Sequence, residues 1–504
     1  MIFWLEQKRF LKLMKQAFNI EKRTGMNVPM IRYVLCWAIE IEGLFLMLPC
    51  MIAGIYGEQV GTIYFLWGGA CIAAGYMGVR RKVSNTEIYP KEGMVTVALV
   101  WIVMSLFGAA PFVFSGEIPN YVDALFEIVS GFTTTGASIL SNVEGLTHAS
   151  LFWRSFSHWV GGMGVLVFIL MLIPVRTGSQ MNLMRAESPG YNVSKFVPRV
   201  RGTARILYKI YLVLTLTELV ILLVSRMYWF DAVCLTFGTA GTGGFAVLNS
   251  GCAGYTAFQQ YVLAIFMILF GVNFSFYFLF KGRRRRMAFK MDEVRVYVIL
   301  IGVSVLLISL NTFRIYGGAE ETFRAALFQV GSIITTTGFS TTDFDLWPSF
   351  SKNILIMLMC IGACAGSTGG GFKVSRVIVM VRSAIRRLAT YINPKRVRKI
   401  QMDGETLNED HVRGVEVFLV VYVMVFALSV LVVSLDGFGF ETNFTAVAAT
   451  LNNIGPGLAD VGPTANYSMF SIPVKLVLIL DMLAGRLELF PLLILLYPPT
   501  WKSR

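Results

Sequence analysis

The sequence Ser130-Gly-Phe-Thr-Thr-Thr-Gly-Ala-Ser138 follows the short stretch Asp123-Ala-Leu-Phe126 and returns, in altered form, three more times along the chain. The second copy reads Gly238-Thr-Ala-Gly-Thr-Gly-Gly-Phe245, the third Ile334-Thr-Thr-Thr-Gly-Phe-Ser340, and the fourth, the most divergent, Thr450-Leu-Asn-Asn-Ile-Gly-Pro-Gly-Leu458. One glycine holds the same place in each copy, at intervals of 108, 94 and 117 residues: Gly136, Gly244, Gly338 and Gly455. This internal repeat predicts four related structural units in one chain.

Each copy predicts a short helix and a loop that turns back, because the segment is too short to cross a membrane. Non-helical backbone is tolerated at membrane depth only where protein buries it or a water-filled cavity receives it, and four loops around one axis meet that condition. The carbonyl end of each helix favours a cation, and glycine permits the backbone dihedrals that turn successive carbonyl groups toward the axis. We therefore expect rings of carbonyl oxygens that replace the hydration shell of a cation. The residues expected to form the rings are Thr134, Thr135, Gly136 and Ala137, then Thr242, Gly243, Gly244 and Phe245, then Thr336, Thr337, Gly338 and Phe339, and finally Asn453, Ile454, Gly455 and Pro456.

The composition places these loops in a membrane protein. Of the 504 residues 55% are hydrophobic and 15% are charged, which is far more apolar surface than a soluble chain normally buries. Ten apolar stretches are long enough to be spans. They run over about 33–54, 62–79, 93–115, 151–175, 207–230, 257–280, 294–316, 353–381, 415–434 and 471–497.

The predicted fold is therefore an all-α polytopic membrane protein with ten transmembrane helices. Four concatenated span, pore-loop, span units surround one pore, and two extra spans precede them. We divide the chain into an N-terminal segment with the two extra spans, residues 1–90, and four pore units, residues 91–205, 206–290, 291–412 and 413–504.

Positive charge predicts the orientation, because Lys and Arg are retained on the cytoplasmic side during insertion. The net charge is +14. With the N-terminus inside, basic clusters such as Arg283–Arg286 and Arg382–Lys399 are cytoplasmic, and the stretch between Lys91 and Arg154 contains no Lys or Arg. Both termini are then cytoplasmic, and residues 1–32 form an amphipathic segment rather than a signal peptide. The arginine run is better explained as a topology anchor facing anionic lipid than as a nucleic-acid site.

Two features of the later predicted spans are unusual for transmembrane helices. The eighth predicted span contains Gly366, Gly369, Gly370 and Gly371, and glycine costs about 1 kcal/mol relative to alanine in a helix. A continuous helix is not expected there, although a kinked helix packed through its glycines is the alternative. Arg486 lies within the last span, where a charge costs about 2.5–3.5 kcal/mol on insertion scales. It must face protein or water, and an ion pair with another span is its alternative role.

At this point the chain resembles the TrkH/KtrB/HKT superfamily of potassium transporters, and its bacterial TrkH branch in particular. The resemblance covers nearly the whole length. It rests on the four loops and on His158-Trp-Val-Gly-Gly-Met-Gly164, Glu187-Ser-Pro-Gly190, Gly366-Ser-Thr-Gly-Gly-Gly-Phe-Lys373 and Gly485-Arg-Leu-Glu488. The two extra N-terminal spans are similar to the TrkH arrangement. The second loop departs from the pattern, with Thr242-Gly-Gly-Phe245 where many members have Asn-Ala-Gly-Phe.

The resemblance implies a subunit for K+ uptake across the bacterial cytoplasmic membrane, with K+ as the transported ion and no prosthetic group. It implies a homodimer with a cytosolic nucleotide-binding ring of the TrkA type. It also implies that the stretch from Gly366 through Gly369, Gly370 and Gly371 to Lys373 obstructs the pore below the filter, and that Arg486 raises the barrier for cations there.

Two alternatives remain open from the sequence. An H+- or Na+-coupled symporter would use the same site together with a carboxylate inside a span. The acidic residues to test for that role are Glu40, Glu42, Glu218 and Asp481. A membrane enzyme is disfavoured because the three histidines are scattered and the seven cysteines show no metal-binding spacing. Asp123 and Asp231, at the starts of two pore helices, are expected to cap them.

Overall fold

The computed structural model describes residues 26–80, 83, 85–164, 200–281, 285–394 and 399–501. The regular structure of this part of the chain is helical, apart from a hairpin in which strand β1 (Gln401–Met402) pairs antiparallel with β2 (Glu405–Thr406). The predicted amphipathic segment 1–32 lies mostly outside the described residues, as do Glu187–Gly190 and the basic segment that follows the fourth predicted span.

Six helices are long and apolar enough to cross a membrane, counted over the described ranges alone. Their lengths suit a hydrocarbon core that needs about 20 residues per span. Many of their side chains face outward and are apolar, as expected of surfaces in contact with lipid; Leu310 is 69% exposed and Leu431 65%. The six helices are α1 (Val28–Tyr56), α2 (Gly61–Val79), α3 (Pro90–Phe114), α6 (Val200–Val224), α11 (Asp292–Tyr316) and α15 (Glu409–Val433).

The first two helices form a hairpin that packs through small residues. A β-carbon added to Gly43 would lie 2.7 Å from the carbonyl oxygen of Gly68, and one added to Gly75 would lie 2.7 Å from that of Cys36. Small residues allow this close approach of helices in a membrane, where lipid gives no hydrophobic drive for association.

Four shorter helices are largely buried and are each followed by one of the four glycine loops. They occur where the sequence predicts pore helices. The first is closed at its start by Asn120, whose side chain accepts the Val122 N–H over 2.8 Å. The pore helices are α4 (Tyr121–Phe132), α7 (Trp229–Gly241), α12 (Ala319–Ile334) and α16 (Phe440–Leu451).

The helix after each loop ends after 13 to 15 residues, and this corrects the continuous spans predicted over 257–280 and 471–497. After the second loop the chain bends by 90° at Gly271–Asn273. After the fourth, Glu488 and Leu489 adopt positive φ, which ends the helix. The break predicted within 353–381 is present from Gly362 to Lys373, and the helix predicted over 151–175 ends at Gly162. These after-loop helices are α5 (His148–Gly162), α8 (Ala257–Phe270), α13 (Ser349–Ile361) and α17 (Ile472–Arg486).

Further helices continue from three of the breaks. They are α9 (Phe274–Lys281), followed by the single turn α10 (Arg285–Ala288), then α14 (Val374–Ile392), and last α18 (Phe490–Leu496). Two of the after-loop helices, α5 and α17, end beside the carbonyl end of a pore helix. A β-carbon on Gly161 would overlap the carbonyl oxygen of Phe132, and one on Gly485 that of Leu451. Small residues therefore let these helices pack against the bases of the loops.

The apolar core surrounds the pore helices. The largest cluster of buried side chains joins α1, α3 and α5 to the first and fourth pore helices, and Trp101, Phe126 and Trp153 are among its fully buried members. Two further clusters pack around the third and the second pore helices. The loops are thus held by tightly packed protein on their outer side, which is the condition for irregular backbone at membrane depth.

Candidate functional site

The four loops share one backbone conformation. Thr134, Thr242, Thr336 and Asn453 are in the left-handed region with φ of 56°, 56°, 59° and 55°. Two residues later, Gly136, Gly244, Gly338 and Gly455 have φ of 78°, 81°, 87° and 97°. A non-glycine residue in a sparsely populated region costs on the order of 1–3 kcal/mol and persists only where its surroundings hold it. Four equivalent copies of this strain mark the loops as a candidate functional site.

One backbone hydrogen bond ties each loop to its pore helix in the same way. The amide of the residue after the left-handed position donates to a carbonyl oxygen five residues earlier. The four bonds are each 2.8 Å long, and they join Thr135 to Ser130, Gly243 to Gly238, Thr337 to Ser332, and Ile454 to Ala449. The divergent fourth loop therefore keeps the geometry of the other three.

The loops form a closed ring in chain order. In each key glycine, the α-hydrogen that a side chain would replace faces a carbonyl group of the next loop. That carbonyl group belongs to the residue before the next key glycine. A β-carbon on Gly455 would lie 2.7 Å from the carbonyl oxygen of Thr135. At the other three junctions an added β-carbon would overlap the facing oxygen; these junctions are Gly136 with Gly243, Gly244 with Thr337, and Gly338 with Ile454. Any side chain at these glycines would therefore push two loops apart.

Most carbonyl groups of the ring have no hydrogen-bond donor among the described residues. Within the described ranges, no N–H or O–H group donates to the carbonyl oxygens at positions 134–136, 242–244, 336–338, 453 and 454, while that of Gly455 accepts the Tyr467 hydroxyl over 2.8 Å. Buried backbone carbonyl groups are nearly always hydrogen-bonded. A row of buried carbonyl groups without donors is suited to bind a partly dehydrated cation.

Polar side chains behind the ring brace it. The hydroxyl groups of Thr133 and Thr135 are 2.7 Å apart, and those of Thr335 and Thr337 are also 2.7 Å apart. In the fourth loop the Asn453 amide donates to Thr135 Oγ1 over 2.9 Å. Thr135 thus belongs to a hydrogen-bonded contact between the first and last loops.

The Gly-rich break from Gly362 to Lys373 lies against the base of the ring. The Gly370 N–H donates to Thr336 Oγ1 over 2.5 Å, and a β-carbon on Gly369 would lie 2.8 Å from the carbonyl oxygen of Thr335. The buried Lys373 amine donates to the carbonyl oxygen of Gly369 within the same segment. Of the predicted gate residues, Gly369 and Gly370 are therefore in direct contact with the third loop.

Glu293 anchors this Gly-rich segment, and sequence reasoning missed it. One carboxylate oxygen accepts the N–H of Ala365 over 2.6 Å and that of Ser375 over 3.1 Å, on either side of the glycines. Glu293 is 2% exposed. From the sequence, its place in the first turn of α11 indicates only an acidic residue that interacts favourably with the helix dipole. Its partners are distant in sequence, so only the fold reveals them.

Arg486 ends α17 and does not lie within a continuous helix. Its guanidinium donates to the carbonyl oxygens of Thr368, over 2.8 Å, and of Gly162, over 2.9 Å, and also to Gly161. The side chain therefore links the Gly-rich segment to the end of the helix after the first loop. Glu488, two residues on, pairs with Arg376.

The capping role predicted for Asp123 and Asp231 is wrong. Both lie in the first turn of a pore helix, but Asn120 caps α4, and α7 has no side-chain cap. Asp123 instead accepts from the Lys475 amine over 2.6 Å, and Asp231 accepts from the Tyr255 hydroxyl over 3.1 Å. Each aspartate therefore accepts from a side chain on another segment of the chain instead of from a backbone N–H group of its own helix.

The sequence profile of the TrkH family, described as a cation transport protein, matches residues 65–499. The chain is 36% identical to the Trk system potassium uptake protein TrkH of Salmonella typhimurium, over 91% of this chain and 96% of that protein. The protein of the same name from Escherichia coli K12 is also 36% identical, with the same coverage.

A solved structure of a TrkH protein is similar to this chain in fold as well as in sequence. The crystal structure of the potassium transporter TrkH from Vibrio parahaemolyticus superposes with a TM-score of 0.83 and is 32% identical in sequence. The match covers 94% of this chain and 99% of that one. These relatives are transporters rather than enzymes, which confirms the prediction that the chain is not an enzyme. With a profile match over most of its length and relatives of this similarity, the chain belongs to the TrkH family of cation transport proteins.

Proposed function

We propose that this protein takes up K+ through a pore whose selectivity filter is the ring of four loops. The observation that carries the proposal is the closed ring of buried carbonyl groups, all but that of Gly455 without a donor among the described residues. Such groups replace the water around a dehydrated cation. The choice of K+ is supported by the names of the relatives, which are potassium uptake proteins, and by a glycine at the key position of all four loops.

The proposed filter uses three residues in each loop. The left-handed residue and its successor contribute carbonyl groups, and the key glycine allows the chain to turn back without a side chain in the ring. The filter residues are Thr134, Thr135 and Gly136, then Thr242, Gly243 and Gly244, then Thr336, Thr337 and Gly338, and finally Asn453, Ile454 and Gly455.

We assign the gate to the Gly-rich segment and Arg486. The contact of Gly370 with Thr336 puts this segment below the third loop, where it obstructs the path of an ion leaving the ring. Arg486 adds a fixed positive charge beside the same segment and raises the local barrier for cations. Its bond to the Thr368 carbonyl also holds the segment in this position.

The proposal extends to the topology, oligomeric state and orientation of the protein. We propose four concatenated units around one pore, preceded by two further spans, with after-loop segments that complete a ten-span topology. The subunit works as a homodimer in the bacterial cytoplasmic membrane, with both termini cytoplasmic, above a nucleotide-binding ring of the TrkA type. The excess of Lys and Arg in the segments assigned to the inside supports this orientation.

A coupled symporter is the second candidate, and Glu42 is the observation in its favour. This carboxyl group is fully buried in α1, and neither of its oxygens has a hydrogen-bond partner among the described residues. A β-carbon on Gly108 would lie 2.8 Å from its Oε1 and 3.0 Å from the ring of Phe132, at the end of the first pore helix. An acid in this place is a candidate proton carrier.

Cation flux into liposomes containing the purified chain tests the proposal. K+, Rb+, Na+ and Li+ are compared under an imposed potential and without a pH gradient. We expect K+ and Rb+ to enter well ahead of Na+ and Li+, and Gly338→Ser to reduce this preference. Gly302→Ser is the matched control, because Gly302 is exposed on α11 and a β-carbon there meets no atom within 4 Å. Flux that requires a proton or sodium gradient would favour the symporter, and equal entry of the four ions would refute K+ selectivity.

A further inference from the structure

His158 joins the first pore helix to the second loop from behind the ring. Its Nδ1 is 2.7 Å from the carbonyl oxygen of Gly131, at the end of α4, and the Phe245 N–H donates to its Nε2 over 3.2 Å. The side chain is completely buried. A carbonyl oxygen only accepts and an amide N–H only donates, so both bonds form with one species of the ring. That species is the neutral imidazole with its proton on Nδ1.

The imidazole also fills a space that side chains occupy in the other loops. A β-carbon on Gly243 would overlap the His158 ring. The residues equivalent to Gly243 are Thr135, Thr337 and Ile454, all of which carry side chains. The second loop therefore has glycine at this place because the histidine ring is there.

The equivalent position of the last after-loop helix has no such group. Gly161 and Gly485 are equivalent, because each faces the carbonyl oxygen of the residue two positions before the left-handed residue of its own loop. Counting back three residues from each glycine aligns His158 with Met482. Methionine has no nitrogen to bridge two backbone groups. At that junction the fourth loop supplies a bond itself, since the Asn453 amide donates to Thr135 Oγ1 of the first loop over 2.9 Å.

Phe245 is held from a second direction by Arg154, one turn before the histidine on α5. The guanidinium carbon lies 4.0 Å from the centroid of the phenyl ring, and the arginine pairs with the buried Glu127 over 2.7 Å. The His158 ring lies 4.2 Å from the same phenyl ring. One helix thus fixes both the backbone and the side chain of the residue that follows Gly244.

We infer that His158 is a positioning residue for ion selectivity, acting as a neutral, Nδ1-protonated bridge that sets the second loop against the first pore helix. This inference rests on the proposed role of the ring as a filter. The histidine touches no ion. It contacts the second loop on either side of Gly244, by packing against Gly243 and by accepting from the Phe245 N–H.

The tautomer is directly measurable, because the chain has only three histidines. Solid-state NMR of protein labelled with 15N-histidine in lipid bilayers reports which ring nitrogen carries the proton. His158→Phe, which keeps a ring of similar size, identifies the signal by its loss. We expect a neutral imidazole with an unprotonated Nε2. A proton on Nε2 would overturn the inference whatever the transport activity of the protein.

Ion selectivity gives the second test, in the same liposomes. We expect His158→Phe to remain folded and to lower the preference for K+ over Na+ by about tenfold, equivalent to about 1.4 kcal/mol, with a smaller change in the maximal K+ rate. His158→Gln, whose amide both donates and accepts, should restore part of the preference. The control is His148→Gln on the same helix, since His148 pairs with Glu58 and does not touch the ring.

Complementary substitutions test the shared space. Gly243→Ala alone should lower selectivity because its methyl group meets the imidazole, and His158→Ala with Gly243→Ala should be less impaired than Gly243→Ala alone. An unchanged selectivity in His158→Phe, with the unaltered protein selective, would refute the positioning role while leaving the filter intact. An unaltered protein that does not discriminate among cations would refute the filter itself, and the NMR result would still decide the tautomer.

Discussion

Arg486 Nη1 donates to the carbonyl oxygen of Thr368 over 2.8 Å, and this bond connects the last after-loop helix to the Gly-rich segment beneath the ring. The same guanidinium reaches Gly161 and Gly162 at the end of α5. One side chain therefore spans from the first unit to the third. Removal of this side chain would free the Gly-rich segment from α17 and would eliminate a positive charge beside it.

Arg486→Ala should increase K+ flux without abolishing the preference for K+ over Na+. The reason is that the positive charge and the bond to Thr368 are lost, while the ring itself is not altered. Flux and selectivity are measured together in liposomes. Arg314→Ala is a suitable control, because this arginine is exposed in the last turn of α11. Unchanged flux per folded protein together with reduced stability would instead indicate a purely structural arginine.

Gly455→Ala should reduce selectivity as strongly as Gly338→Ala. The fourth loop diverges in sequence, but Gly455 has a φ of 97° and an added β-carbon would lie 2.7 Å from the Thr135 carbonyl oxygen. The methyl group would therefore displace a carbonyl group of the first loop. The ratio of K+ to Na+ uptake is the measurement, and Gly302→Ala on the outer face of α11 is the control. A selective Gly455→Ala protein would mean that the fourth loop does not complete the filter.

Glu293→Ala should both destabilise the protein and increase basal flux. The substitution leaves the N–H groups of Ala365 and Ser375 without their partner, at a cost of about 1–3 kcal/mol for each buried donor. The Gly-rich segment then loses its anchor on α11. Thermal unfolding in detergent and liposome flux at a temperature well below unfolding separate the two effects. The neighbouring Asp292→Asn serves as control, and loss of stability with unaltered flux would argue against an anchoring role in gating.

Arg154→Met should lower the free energy of unfolding by about 3–5 kcal/mol, the usual result of leaving one charge of a buried pair uncompensated. Glu127 and Arg154 are 0% and 2% exposed and lie 2.7 Å apart. Adding Glu127→Gln to Arg154→Met should recover part of this loss, because the carboxylate charge is then removed as well. Chemical denaturation in mixed micelles measures the four members of this cycle, and strictly additive effects would contradict a direct pair.

The loops were predictable from the sequence because their chemistry is local. A glycine with positive φ and a short preceding helix leave a pattern in neighbouring residues, and Gly136, Gly244, Gly338 and Gly455 adopt that conformation. The Gly-rich break was predictable for the same reason. The long helices α1, α2 and α3 follow from hydropathy, within a few residues at their ends.

The remaining features depend on partners that are distant in the chain. The end of α17 at Arg486 is set by packing against the base of a loop, while its composition alone reads as a continuous span. Asp123 pairs with Lys475, which is remote in sequence. The sequence identifies His158 only as part of a motif and does not indicate its hydrogen bond with Phe245. Hydropathy and spacing do not encode which remote group a side chain will meet.

The contact of Gly455 with Thr135 sets an order for biogenesis. The first loop leaves the ribosome early, yet the neighbour that closes the ring beside it is made almost at the end of translation. Until then the nascent chain contains an open-sided groove, and its first pore helix lacks one flank. The proposed pore would therefore be complete only after nearly the whole polypeptide has been inserted, and a prematurely terminated chain would lack its fourth side.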